Sequence, residues 1–149
     1  MGEFEKFILE NADADVPRLL LSCHEWPSAD DPLLGSIPPR DLAANTIEAR
    51  RKLRRKAPLW YGCTGLVYPS SLCAEQCSSE AAALYKASVV RRNVPEGGLV
   101  ADLTGGLGID SHFFSKTVWG VLYNEIDEAL VVAARHNFAL LGDDNIIVR

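Results

Sequence analysis

Residues 98–110 read Gly98-Leu99-Val100-Ala101-Asp102-Leu103-Thr104-Gly105-Gly106-Leu107-Gly108-Ile109-Asp110. Leu99, Val100 and Leu103 form the short apolar run of a parallel strand covered on both faces. Asp102 stands near the carboxyl end of that strand. Gly105, Gly106 and Gly108 then allow a sharp turn and a close approach to the backbone, because none carries a Cβ. Asp110 or Ser111 is placed to cap a following helix. In open α/β sheets the carboxyl ends of the strands, where such a turn lies, are where ligands bind.

The chain downstream repeats the pattern. Residues 118–125 read as a second strand ending in Glu125, an acid about 20 residues past the first turn, as ribose binding on such sheets requires. Residues 128–141 carry Leu130, Val131, Ala134, Phe138 and Leu141 at helical spacing, and Gly142 closes that helix. Residues 145–148 open a third strand. The fold class is therefore α/β: a helical amino-terminal segment, then the first half of a Rossmann-like sheet of about three parallel strands. The glycines read G-G-x-G after an acid, whereas the dinucleotide fingerprint is G-x-G-x-x-G. A carboxylate at the turn repels a pyrophosphate and suits a cationic or amino-bearing ligand.

Asp102, Gly106 and Gly108 match motif I of class I S-adenosylmethionine-dependent methyltransferases, which the stretch resembles. Thr104 replaces the common first glycine, as in several RNA and base methyltransferases of that class. The resemblance implies S-adenosyl-L-methionine as cofactor. It places Asp102, Thr104, Gly105, Gly106, Gly108 and Asp110 around the donor, Glu125 on its ribose with Ile126 beside it, and Asp127 as the second choice for the ribose. The class sets a helix before motif I against the donor's methionine end. Gln76, Ser78 and Ser79, at the start of such a helix, are thus candidates to touch it, although Ser78 or Ser79 also reads as a plain cap.

Three further runs narrow the resemblance: LAANTIEARRKLRRKAPLW, YPSSLCAEQCSSEAAALYKA and VLYNEIDEALVVAARHNFALLG. With motif I they are similar to bacterial methyltransferases bearing a THUMP-like domain, which implies an RNA or nucleobase acceptor. The loop DLTGGLGID is also similar to that of enzymes methylating guanine in ribosomal RNA. No D/N-P-P-Y/F/W motif occurs, and the chain stops at the third strand. The expectation is the amino-terminal part of a larger methyltransferase, not catalytically competent alone, with its catalytic residues beyond Arg149. In the order 3-2-1-4-5 the first strand would keep an unpaired edge. The missing carboxy-terminal half, the amino-terminal helices or another copy of the chain would cover it.

The 149 residues carry a net charge of −5, with no run long enough to span a membrane and no signal peptide. Cys23, Cys63, Cys73 and Cys77 are scattered and fit reduced thiols in the cytoplasm. Cys73 and Cys77 can share a helix face, yet no second pair completes a metal site, so no metal is expected. Residues 1–94 read as a helical region and 95–149 as the Rossmann-like domain. Within the first, residues 1–26 form two helical pieces and 27–39 a proline-rich linker. Asp41 caps a helix through Thr46, Ile47, Ala49 and Leu53, and residues 62–69 form a loop or short strand.

That helix ends in six cations among seven residues, Arg50, Arg51, Lys52, Arg54, Arg55 and Lys56. In an acidic chain this segment is a candidate phosphate contact, with Arg50, Arg51, Arg54, Arg55 and Lys56 on RNA, or else a solvated helix face. Trp60 and Tyr61 follow as core or stacking residues. His112 and His136 read as packing or surface residues. Two rivals stand beside the methyltransferase: a nicotinamide- or flavin-binding oxidoreductase domain, and a non-catalytic RNA-binding module.

Overall fold

Proline favours the first turn of a helix, where it has no N–H to lose, and Pro39 starts α1 (Pro39–Lys56). The computed structural model describes residues 39–149, with Lys6, Leu9, Glu10, Ala12 and Asp13 before them. The rest of the two amino-terminal pieces and of the linker lies outside the described residues. Because α1 begins at Pro39, Asp41 lies inside the first turn and is not the cap, and Pro39 belongs to the helix instead of the linker.

Contacts divide the chain into two units, Met1–Gln76 and Cys77–Arg149. In the first, α1 is followed by α2 (Pro58–Gly62) and α3 (Ser71–Gln76). Ala43, Ile47, Arg50 and Leu53 recur at helical spacing and are buried, together with Trp60, Leu66 and Tyr68. Thr46 Oγ1 accepts the Tyr68 N–H at 3.1 Å, and Asn45 Nδ2 donates to Pro69 O at 2.6 Å. These side chains satisfy backbone that a strand would have paired, so residues 66–69 stay a loop. The helix carrying Cys73 ends at Gln76, so Cys77 does not share its face. Among the described residues no helix is long and apolar enough to cross a membrane.

The second unit runs α4 (Glu80–Asn93), β1 (Leu99–Asp102), α5 (Ile109–Ser115), β2 (Gly120–Tyr123), α6 (Glu128–Leu141) and β3 (Ile146–Val148). Ser79 caps α4 by accepting the Ala82 N–H at 3.2 Å. The helix packs on α5, so it belongs with the sheet and not with the helical region as a boundary at residue 94 implied. The sheet is parallel in the order β1-β2-β3, with Asp102 opposite Tyr123 and Tyr123 opposite Val148. β2 is shorter than the sequence reading of 118–125: the strand starts at Gly120 and stops before Asn124.

Ser111 of α5 reaches Asp102, and α6 packs Ala134 and Phe138 on Tyr123. Asp102 and Tyr123 share a sheet face, so both helices cover that face, as crossovers of one hand must when strands add in one direction. The opposite face carries Leu99 and Ile147, which are 66% and 64% exposed, with Trp119 at its end. β1 is therefore not covered on both sides among the described residues; Leu103 is exposed as well. An open apolar groove of about 540 Å³ runs between Leu99, Trp119, Leu122 and Ile147.

The expected cap of α5 by Asp110 or Ser111 is not formed. Gly108 takes the cap position at φ 91°, and the helix starts directly after it. The far end of α5 is fixed by Asp143, whose side chain is fully buried after α6. Its carboxylate takes His112 Nδ1 at 2.6 Å, Lys116 Nζ at 2.5 Å and the Ser115 hydroxyl at 3.1 Å. Burial pushes the Asp143 carboxyl up, but the bonds from His112 and Lys116 outweigh it and hold it below the usual value. A carboxyl depressed in the folded state stabilises above its unfolded pKa and loses that contribution as pH falls through the folded one. Asp143→Asn should therefore cost about 3 kcal/mol at neutral pH, and its deficit against the native chain should shrink below about pH 4. Urea unfolding across that range measures it.

Candidate functional site

The loop between β1 and α5 is shaped by the end of β2. The Gly105 N–H donates to Asn124 O at 2.9 Å, and Asn124 Nδ2 donates to Leu103 O at 3.1 Å. The Tyr123 hydroxyl donates to Gly106 O at 2.6 Å. A Cβ on Gly105 would sit 2.2 Å from the Tyr123 ring, and one on Gly108 2.6 Å from the Phe138 ring. Those two glycines are required by packing. Gly106 differs: its φ is 53°, but a Cβ there would meet nothing nearer than Thr104 O at 3.8 Å. The loop is open on that side.

Both predicted acids bond the loop's backbone. Asp102 Oδ2 accepts the Ser111 hydroxyl at 2.7 Å, and Oδ1 faces the Thr104 N–H at 3.4 Å. Glu125 Oε2 accepts the Gly106 N–H at 2.8 Å, while Oε1 accepts those of Ile126 and Asp127 at 2.7 and 3.0 Å. Burial raises the Glu125 carboxyl, but the three backbone donors outweigh it and leave it below the usual value. A carboxylate offers about four lone-pair positions. Three are filled, so Oε2 retains one acceptor position.

The remaining candidates separate. Thr104 is exposed, and Ile126 is almost wholly so. Asp127 caps α6, its Oδ1 accepting the Ala129 N–H at 2.9 Å. Gln76 is exposed and closes α3 in the first unit. Ser79 serves as the α4 cap. Ser78 instead donates to Asp110 Oδ2 at 2.8 Å, and Lys86 Nζ bonds the same oxygen at 2.7 Å. Tyr123, Asn124, Ser111 and Lys86 were not singled out for the site by the sequence. Strand register was the available signal for the first two, since it puts Tyr123 opposite Asp102.

The basic segment in the first unit also divides. Arg50 is buried, lies over the Tyr61 ring at 4.7 Å and donates to Cys63 O at 3.3 Å. Lys52 pairs with Glu75 at 2.6 Å, and Lys56 donates to the Ala74 and Glu75 carbonyls. Arg51, Arg54 and Arg55 are exposed. Arg50, Arg51, Arg54 and Tyr61 line a cleft of about 240 Å³ that Asp13 also borders. Trp60 is core. His112 is a packing residue within the Asp143 cluster, and His136 is half-buried.

No protein-family model matches the chain, and no curated protein matches it. A solved structure described as a "putative methyltransferase from Porphyromonas gingivalis W83" does, at 34% identity and a TM-score of 0.71, over 97% of this chain and 33% of that one. This chain thus spans about a third of the length of that protein. The likeness extends to sequence as well as backbone, and the fold of this chain is a methyltransferase fold.

Proposed function

We propose that this chain is the donor-binding part of an S-adenosyl-L-methionine-dependent methyltransferase that acts on RNA or a nucleobase. The observation that carries this reading is the free acceptor position of Glu125 Oε2 beside the open side of Gly106. It suits one ribose hydroxyl of a nucleoside lying against the loop. The fit extends to the loop amides. Those of Thr104, Gly105, Gly106 and Gly108 point at Asp102, Asn124, Glu125 and Gly105 respectively, within the protein. These four amides are thus engaged within the protein, and the carboxylates they meet work against a dinucleotide pyrophosphate, which counts against the nicotinamide or flavin reading.

The donor supplies the activated methyl group, and the protein supplies orientation. Asp102, held by Ser111, lies at the loop's start for the donor's amino-acid end, and Glu125 fixes the ribose. For this chain alone the proposal is donor binding without turnover. Transfer is proposed for a whole enzyme of the neighbour's length. An RNA acceptor is supported by the exposed Arg51, Arg54 and Arg55 and by the arginine-lined cleft. Arg54→Glu with Arg55→Glu should then weaken RNA binding, with a shallower dependence of affinity on salt.

Calorimetric titration should show micromolar binding of S-adenosylmethionine and S-adenosylhomocysteine and none of NAD; the reverse would overturn the reading. Glu125→Ala should cost about tenfold or more in affinity for the homocysteine ligand. The glycines supply a second check. Gly108→Ala should cost about 2–4 kcal/mol of stability, from its positive φ and the Phe138 clash. Gly106→Ala should cost only about 1–2 kcal/mol yet lose donor binding, because its methyl group fills the open side. Thermal melting alongside titration separates the two.

A further inference from the structure

In the first unit, the cleft of about 240 Å³ is lined by Arg50, Arg51, Arg54 and Tyr61, with Leu9 and Asp13 also on its lining. Arg50 is the most buried cation of the basic run, at 6% exposure. Its guanidinium lies over the Tyr61 ring at 4.7 Å, and Nη1 donates to Cys63 O at 3.3 Å. It makes no other hydrogen bond among the described residues. A guanidinium carries five N–H donors, all pointing outward in its plane. The ring covers a face and the carbonyl takes one donor, so the group is held while most of its edge stays unused. None of its nitrogens is among the fully buried side-chain atoms that lack a partner. The unused donors therefore keep accessible surface where Arg50 lines the cleft.

Arg54 stands one helical turn further along α1. It is exposed and makes no hydrogen bond or ion pair among the described residues. Arg51 is tied through Nε to Ala12 O at 2.9 Å. Lys52 and Lys56 are bonded to Glu75, and Arg55 does not line the cleft. Three arginines against Asp13 leave two net positive charges around the cleft. An internal RNA phosphate carries a single negative charge. A phosphate monoester carries about 1.5 to 2 at neutral pH and presents three acceptor oxygens. Arginine edges meet such oxygens two at a time, as a point charge does not. Pockets that enclose a whole drug-sized ligand run to about 300–1,000 Å³. A cleft of about 240 Å³ suits an end group instead.

We propose that this cleft binds a phosphate monoester, the end group of a nucleotide or of an RNA chain, with Arg50 and Arg54 donating to its oxygens. Leu9 and Tyr61 then lie against the carbon side of the ester. For an RNA ligand the site rests on the RNA reading above and adds a preference to it, for the phosphorylated end over the internal phosphates.

The test titrates the 149-residue chain with short single-stranded oligoribonucleotides of one sequence, bearing a 5′-phosphate, a 3′-phosphate or hydroxyls at both ends. Uridine monophosphate and uridine serve as the free counterparts. The native chain should bind one phosphate-ended oligonucleotide about tenfold or more tightly than the hydroxyl-ended one. Arg54→Gln should remove most of that preference. Arg55→Gln, outside the cleft, should weaken both oligonucleotides alike and keep the preference. Both arginines are exposed, and melting curves check that each variant keeps its fold. Equal binding of all three oligonucleotides overturns the monoester site and leaves the RNA reading standing. A preference that survives Arg54→Gln overturns the placement in this cleft. Binding of uridine monophosphate over uridine, lost in Arg54→Gln and without binding of any oligonucleotide, upholds the cleft with a free nucleotide as its source and overturns the RNA reading. Binding of none of these ligands overturns both.

Discussion

The bond from the Gly106 N–H to the Glu125 carboxylate is the constraint around which the second unit is arranged. It joins the turn after β1 to the end of β2, two points that strand pairing alone leaves apart. A backbone amide facing an ionised carboxylate makes a charge-assisted bond, stronger than an ordinary one. It works only while Gly106 keeps its positive φ and Gly105 keeps a bare α-carbon against the Tyr123 ring. The Tyr123 hydroxyl on Gly106 O and the Asn124 amide on Leu103 O then close the loop from both sides. The carboxylate that would meet a ligand therefore also builds the loop. That is why its carboxyl is held below the usual range, and why it is ionised before any ligand arrives.

α5 is held at both ends by carboxylates from other elements. Ser111, in its first turn, bonds Asp102 at the tip of β1. His112, Ser115 and Lys116 bond Asp143 beyond α6. Asp143 and His112 are buried, so they support one another in a low dielectric where a lone charge would be costly, while Lys116 reaches Asp143 from a half-exposed position. A seven-residue helix has little intrinsic stability. These two anchors, together with Ile109 and Phe113 in the core, supply what its length does not. The position of Asp102 is thus tied to a buried cluster at the other end of α5, whose His112 also donates its N–H to Gly108 O at 2.9 Å.

Much of this is legible in residues 98–149 because the local signals agree. The glycines, the acid at a strand end and the Gly142 cap each mark a boundary that the backbone honours. Where reading and structure part, a tertiary cause is identifiable. The start of α5 was assigned to Asp110 or Ser111, since side-chain capping is the usual signal, but Gly108 at φ 91° caps through its backbone. The apolar run of β1 announced burial on both sides. Sequence period cannot say which face the crossover helices take, and both take the same one. The six cations counted as one basic patch because a count ignores helical phase. Arg50, three residues from both Ile47 and Leu53, turns inward with them, while Arg54 and Arg55 turn outward. Tyr123 looked like strand filler, and only the register opposite Asp102 shows what its hydroxyl does.

A glycine turn at the end of a parallel strand can serve two chemistries, and the direction of its amides separates them. Where a pyrophosphate is bound, the N–H groups must face outward, and nearby carboxylates work against the ligand's charge. Here the amides of Thr104, Gly105, Gly106 and Gly108 face inward, on Asp102, Asn124, Glu125 and the loop itself. The two acids keep acceptor capacity: a lone pair on Glu125, and Asp102 beyond its bond to Ser111. Carboxylates of this kind favour a hydroxyl or an ammonium over a phosphate. A nucleoside joined to an amino acid through a cationic sulfur has the first character throughout except at its carboxylate, the one group that still needs a cation. The acceptors of the loop therefore suit the ribose and the ammonium of the proposed donor.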